Sequence, residues 1–501
     1  MRFPGQTNRR TRWLRVVGAS LLVLAALYLA LLIPEPPPPA ARPASGQAFV
    51  WNQVAFWREL ERQFLEARTL NRDALAASVD GSVQKVWQLI DCLGATNLAP
   101  TSPVFDALET NFFHLAPRVA ACPDRLPDFL KAYARMRSVV KRQSEHWPTA
   151  ERETHERLYR LLYGGRAAVE EAILQGPRNQ VPALIAGDDE PSATPSITVE
   201  GVKVHSGDIL VSRGGAATSA LIARGNDFPG NFSHVALVHV DEKSQAASVI
   251  EAHIESGVTV RPGLAYLRDP KLRIMVLRLR ADLPPVAANP QLPHRAASQA
   301  LAAATARHIP YDFAMDSGDH ARQFCSEVAL AAYEPLGVKL WMKMSRLSTP
   351  GVTRWLSDLG MRHFETQEPA DLEYDPQLRV VAEWHSPETL FMDHVDNAVI
   401  DVMLEGAERG RPLDYNIWKL PLVRAAKAWS VVRNWFGGVG PVPEGMTATT
   451  ALRVQRLKER HAAIRAHVLR QADVFKTQHG YVPLYPELVR IAREEQKIWM
   501  L

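Results

Sequence analysis

Gln323-Phe324-Cys325-Ser326-Glu327-Val328-Ala329-Leu330 is the stretch on which the fold turns. A polar run, Met315-Asp316-Ser317-Gly318-Asp319-His320, leads up to it, and an apolar helical pattern (Val328, Ala329, Ala331, Ala332) leads away. The thiol of Cys325 therefore falls in the first turn of a helix. Free backbone N–H groups and the helix dipole there favour the thiolate, the nucleophilic form. Upstream, Phe232-Ser233-His234-Val235-Ala236-Leu237-Val238 opens a strand on a histidine. A cysteine that opens a helix and a histidine that opens a strand are two parts of a cysteine hydrolase, here with the histidine first in the chain.

Working outward, Asp208 to Val211, Ser233 to Val240, Ala247 to Ile254, Gly257 to Arg261 and Leu272 to Leu279 read as strands bounded by Gly, Pro or charged turns. His294 to His308 is helical, and Ile309-Pro310-Tyr311-Asp312-Phe313 breaks it before the Cys325 helix. Strands, helix, loop and helix in that order give the α+β class. Alternation puts Val249, Glu251 and His253 on one face of the strand after His234. Adjacent antiparallel strands bring opposing side chains to about 5 Å. Glu251 is thus expected to orient His234, with His253 the alternative two residues along. His234 would take the proton of Cys325 and later protonate the leaving group. Each residue alone has a plainer reading: a packed small thiol, a polar strand-edge imidazole, a solvent-facing carboxylate.

Five motifs occur in order: Gly207-Asp208-Ile209-Leu210, Ser233-His234-Val235-Ala236-Leu237-Val238, Val249-Ile250-Glu251-Ala252, Pro310-Tyr311-Asp312-Phe313 and Cys325-Ser326-Glu327-Val328. Together they resemble the permuted branch of the NlpC-like superfamily, the YiiX/YebB-like papain-type amidases. Lecithin–retinol acyltransferase-like proteins resemble the same branch. The likeness spans roughly Val202 to Val338. It implies a circularly permuted papain-like (NlpC-type) catalytic domain with Cys325, His234 and Glu251 as the triad. It also implies that Tyr311 and Asp312 lie on the substrate side, although Asp312 also reads as a plain turn residue. Phe324 departs from the pattern, where tyrosine is expected before Cys-Ser-Glu. The backbone N–H of Cys325 is then one oxyanion donor, and the second has no name from sequence. The chemistry calls for no cofactor. No metal site stands out, since Asp312, Asp316 and Asp319 lack the glycine and distal glutamate of a calcium loop.

The N-terminus sets the expected location. Arg2, Arg9, Arg10, Arg12 and Arg15 precede the apolar run Val16 to Ile33, which nears the roughly 20 residues that span a bilayer. The basic flank puts the N-terminus in the cytoplasm and the bulk of the chain outside. The expectation is a single-pass protein of the inner membrane, facing the periplasm. A cleaved signal peptide is the rival, but its apolar core is typically shorter, about 7–15 residues. The expected order is tail 1–12, transmembrane anchor 13–33, Pro-rich linker 34–48, helical domain 49–180, linker 181–200, catalytic domain 201–350 and a mostly helical region 351–501. Three cysteines outside the cytoplasm leave room for a Cys92–Cys122 bridge with Cys325 free, or for two free thiols.

Formal net charge is +4 over 501 residues, and no basic cluster alternates with aromatics, which excludes nucleic acid as a partner. Expected partners are the membrane, through the N-terminal helix, and an envelope substrate: a peptidoglycan peptide amide or a lipid acyl group. An acyltransferase on the same fold, or a catalytically silent binding module organising an envelope complex, is the alternative. Trp418 to Phe436 has apolar residues at helical spacing among Lys419, Arg424, Lys427 and Arg433. Such a basic amphipathic helix suits a bilayer interface, yet packing on its own domain is the favoured reading.

Overall fold

The computed structural model describes residues 7–36, 42–50, 54–177, 183–269, 271–319 and 321–498. Parts of the expected tail (1–6), Pro-rich linker (37–41), helical-domain end and second linker (178–182) and C-terminus (499–501) lie outside the described residues. The strands are β1 (Leu184–Ala186), β2 (Ser196–Val199), β3 (Val202–His205), β4 (Ile209–Gly214), β5 (His234–Val240), β6 (Ala247–His253), β7 (Gly257–Pro262), β8 (Lys271–Leu279), β9 (Ser345–Arg346), β10 (Glu365–Thr366) and β11 (Leu378–Trp384).

Seven of them form one sheet in the order β1-β11-β8-β4-β5-β6-β7, with every neighbouring pair antiparallel. Period-two alternation sorts the side chains. Ile209, Val211, Val235, Leu237, Ile250, Met275 and Leu277 pack one face with Val328, Ala329 and Tyr333 of the helix Cys325–Tyr333. Leu210, Ala236, Val238, Val249, Ile274 and Val276 pack the other face with Tyr266.

The five strands expected from sequence all form, displaced by no more than a few residues at their ends. The sheet is wider than expected. Residues 181–200 contribute β1, and β11 lies well past residue 350, in a segment (Glu368 to Trp384) that sequence reads as extended and irregular. β11 reads badly because Arg379 and Glu383 break its apolar pattern; both are buried and paired. The Pro-rich linker is no free spacer at its C-terminal end either. Ala44 donates its N–H to Leu347 O at 3.0 Å and Phe49 to Asp227 O at 2.8 Å, so this segment lies along the catalytic domain.

The N-terminal module is helical, as expected, with Arg72–Ala95 and Pro103–Ala121 capped by Asn71 and Ser102. Cys92 is exposed, Cys122 is buried, and both are free thiols, so no bridge joins them. This module is bound to the sheet through buried charge. Arg137 pairs with Glu383 of β11 at 2.9 Å, and Arg166 reaches Glu373 and Glu383. Arg273 of β8 joins Glu170 of the helix Gly165–Gln175 to Asp393 of the helix Pro387–Glu408. Burial alone would raise the Glu383 carboxyl, but Arg166, Arg137 and Arg273 hold it down at about 2. The helix containing Arg12–Leu31 has a mean hydropathy of 2.2 and none of it is buried, so by length and composition it can cross a membrane or act as a signal sequence.

One glycine holds the 309–311 loop in place. Gly257 begins β7 at φ +70°, and a Cβ there would meet Ile309 O at 2.1 Å. The chain before Tyr311 crosses at this point, with Val258 donating to Ile309 O. Gly257→Ala is expected to lower stability by about 1–3 kcal/mol, the cost of a strained left-handed residue. Thermal unfolding checks it, and displacement of the 309–311 loop is expected to change the rate at which Cys325 is alkylated.

Candidate active site

β5 begins at His234 and pairs with β6 in a register that matches Ala236 to Glu251. Continued by two residues, that register sets His234 opposite His253, with Glu251 on the diagonal. The rings of His234 and His253 stand 5.4 Å apart between centroids. Glu251 lies between them: its Oε2 is 2.7 Å from His234 Nε2 and its Oε1 is 3.0 Å from His253 Nε2. Both residues named from sequence as orienters are therefore present, and the carboxylate is the one that touches His234. Burial alone would raise the Glu251 carboxyl; hydrogen bonds and charge from His234 and His253 instead hold it well below the usual carboxylate range.

Cys325 is the first residue of its helix, where the backbone N–H falls outside the intrahelical ladder. Phe324 before it is extended, and its N–H donates to Glu327 Oε2 at 3.0 Å. Phenylalanine has no acceptor to return the bond, so only the carboxylate half of a capping box forms. The thiol is buried beside the N–H of Val235, the residue after His234. Chain segments about ninety residues apart in sequence thus meet.

The protonation state differs from the sequence expectation. Burial pushes the Cys325 thiol up to about 12, with the Val235 N–H and Ser326 opposing and the charge of Glu368 adding to the rise. Burial likewise lowers the His234 imidazolium, against the pull of Glu251. Burial thus works against both charged forms, the thiolate and the imidazolium. Desolvation outweighs the helix terminus because the thiol sits inside the protein rather than at its surface.

Tyr311 is buried, bridges to Gln323 and stacks edge-on against Phe313 at 5.1 Å. Burial and then the neighbouring Cys325 raise its phenol well above the ordinary range. Asp312 Oδ1 accepts from Ala314 N–H at 2.9 Å and its Oδ2 from Asp316 N–H at 2.6 Å. Its carboxylate thus braces its own loop, in line with its reading as a turn residue.

Other residues at the site escaped the sequence reading. Ser212 of β4 faces His234 in register and shares a hydrogen bond with Tyr266 at 2.9 Å. The Lys271 ammonium lies 4.1 Å from the centre of the Tyr266 ring. Arg261 of β7 approaches Glu251 at 3.7 Å while bound to Asp269 at 2.7 Å. Glu368, buried and raised to about 8 by desolvation, belongs to the segment read as irregular. None stands in a motif; only strand pairing and packing collect them. The ligand atoms of His234, Glu251 and His253 also lie within 4.8 Å of one another, a grouping that could hold a metal ion. It has no sequence spacing because two strands supply it.

Residues 203–382 match the family model described as permuted papain-like amidase enzyme, YaeF/YiiX, C92 family. The central domain is a permuted papain-like amidase. The match ends at residue 382, inside β11, in keeping with a sheet that continues beyond residue 350. The amidase domain is that of a cysteine hydrolase, and it is flanked on both sides by helices. A solved chain described as the metalloprotein yiiX from Escherichia coli O157:H7 is 20% identical, over 36% of this chain and 97% of that one, with a TM-score of 0.29. No curated protein matches the chain.

Proposed function

We propose that this is a membrane-anchored, envelope-facing amidase with Cys325 as nucleophile, His234 as base and acid, and Glu251 as the group that orients His234. The observation that carries this reading is the 2.7 Å contact between Glu251 Oε2 and His234 Nε2. With Nε2–H donating to the carboxylate, Nδ1 keeps its lone pair for the proton of the thiol.

Cys325 Sγ attacks the carbonyl carbon of an amide or ester as its proton passes to His234 Nδ1. The tetrahedral oxyanion is met by the backbone N–H of Cys325. The C–N or C–O bond then breaks as His234 returns the proton to the leaving amine or alcohol, leaving a thioester. Water attacks the thioester, gives its proton to His234, and the acid departs with the thiol restored. The substrate is a peptidoglycan peptide or a lipid, reached from the outer side of the inner membrane. The apolar helix and its basic N-terminal flank support the anchor.

Incubation of the full-length protein in membranes with an acyl-electrophile probe, followed by mass spectrometry, tests the nucleophile. The adduct is expected on Cys325, although Cys92 is the more exposed thiol. An adduct confined to Cys92 or Cys122 overturns the assignment.

A further inference from the structure

Beyond the N-terminal helix, exposed large apolar side chains concentrate in residues 417–439. The helix Leu420–Trp435 turns Leu420 inward against Ala448 and Leu452. Its outer stripe of Trp418, Leu422, Trp429 and Phe436 recurs at helical steps and meets water. Trp435 beside it is 78% exposed and Phe436 is 85% exposed. The favoured expectation that this helix packs on its own domain therefore holds for its inner side alone.

Two further observations say what covers the outer side. The first is position. Arg424 donates to Leu31 O at 2.9 Å and to Ile33 O at 2.6 Å, and Tyr28 Oη donates to Trp418 O at 3.3 Å. The helix is thus pinned at the C-terminal end of the apolar span Arg12–Leu31, the level at which a bilayer passes from acyl chains to headgroups. The second is charge. Arg424, Lys427 and Arg433 lie on the helix, which has no Asp or Glu. Tryptophan and cations around an apolar stripe are the composition of a helix that lies in an anionic bilayer interface.

We propose that the helix Leu420–Trp435 lies in the outer interface of the same bilayer that residues 12–31 cross, with its Trp/Phe stripe in the acyl boundary and Lys427 and Arg433 among anionic headgroups, while Arg424 ties it to the end of the span. This rests on the anchor reading above. It adds a second membrane contact that fixes the orientation of the amidase domain. After Phe436 the chain runs directly to the catalytic loop: Glu444 Oε2 is 2.7 Å from His308 Nε2, and Gly445 packs beside Phe313. The loop bearing Tyr311 is thereby held close to the bilayer surface, which fits a substrate displayed on that surface.

The test uses the full-length chain with Cys92, Cys122 and Cys325 replaced by Ser, in phosphatidylcholine–phosphatidylglycerol vesicles. An environment-sensitive fluorophore is placed on a cysteine at Trp429, at Leu22 within the span, or at exposed Lys476 as control. Nitroxide lipids labelled near the headgroup are expected to quench the Trp429 probe and spare the Lys476 probe, with aqueous iodide doing the reverse. Quenching of the Leu22 probe by nitroxides labelled deep in the acyl chain, with the Trp429 probe open to iodide alone, overturns the inference and leaves the anchor standing. A Leu22 probe open to iodide overturns both. Thermal unfolding of each variant, compared with the parent chain, verifies that the amidase domain is folded.

Discussion

Cys325→Ala is expected to leave no measurable turnover, and His234→Ala to lower kcat/KM by about 10²–10⁴-fold, the range for loss of a positioned general base. The two losses have different causes. Without Cys325 there is no acyl-enzyme, while without His234 a thiol whose burial pushes it up to about 12 must ionise unaided. Steady-state hydrolysis of an acyl-amide substrate by each variant measures both. The pH profile then separates two mechanisms. Neutral His234 is the active form, and burial lowers its pKa. Activity is therefore expected to be full above the ordinary imidazole value of about 6.5 and to fall only once pH drops below it. A preformed thiolate–imidazolium pair would instead lose activity on the alkaline side, as the imidazolium gives up its proton. An alkaline fall that disappears in His234→Ala would show that the pair rests ionised.

Asp393→Ala is expected to destabilise the protein by about 3–5 kcal/mol, the penalty for removing one partner from a buried ion pair. Asp393 Oδ2 lies 2.6 Å from an Arg273 guanidinium nitrogen and Oδ1 lies 3.2 Å from Arg213 Nε, with all three side chains sealed from water. Its loss takes the carboxylate from the buried Arg213 guanidinium and leaves Arg273 to Glu170 and Glu383, and a typical domain has only about 5–15 kcal/mol in total. Thermal and denaturant unfolding of the membrane-reconstituted chain measures the change. Glu459→Ala breaks the exposed Lys419 contact at 3.8 Å and serves as control, with an expected change within about 1 kcal/mol because solvent screens such pairs. Equal effects from the two substitutions would mean that the buried network does not hold the helix Pro387–Glu408 to the sheet.

The contrast between His234 and Asp393 explains what was legible in sequence. His234 opens a run of β-branched and apolar residues, so period-two patterning located its strand and the face of Glu251 on the next. Cys325 stood where polar sequence gives way to an apolar helix. Arg213, Arg273, Glu383 and Asp393 carry no local signal of burial, since a single chain position does not reveal that its charge is matched from another element. β11 was for that reason not placed in the sheet, and the sheet's full width went unread. Glu368 and Tyr266 were missed because no local spacing links them to Cys325.

Sequence by itself determined the class of chemistry, the permuted order of histidine before cysteine, and the strands that carry His234 and Glu251. Local periodicity, a helix start and five ordered motifs are properties of neighbouring residues. Tertiary structure alone decided that Glu251 bridges His234 and His253, that both carboxylate oxygens of Asp312 accept from its own loop, and that the Cys325 thiol is buried. It alone decided as well that the Trp418–Phe436 stripe stays uncovered beside the apolar helix. Each of these depends on which groups exclude water from which others, and desolvation is set by residues far apart in the chain.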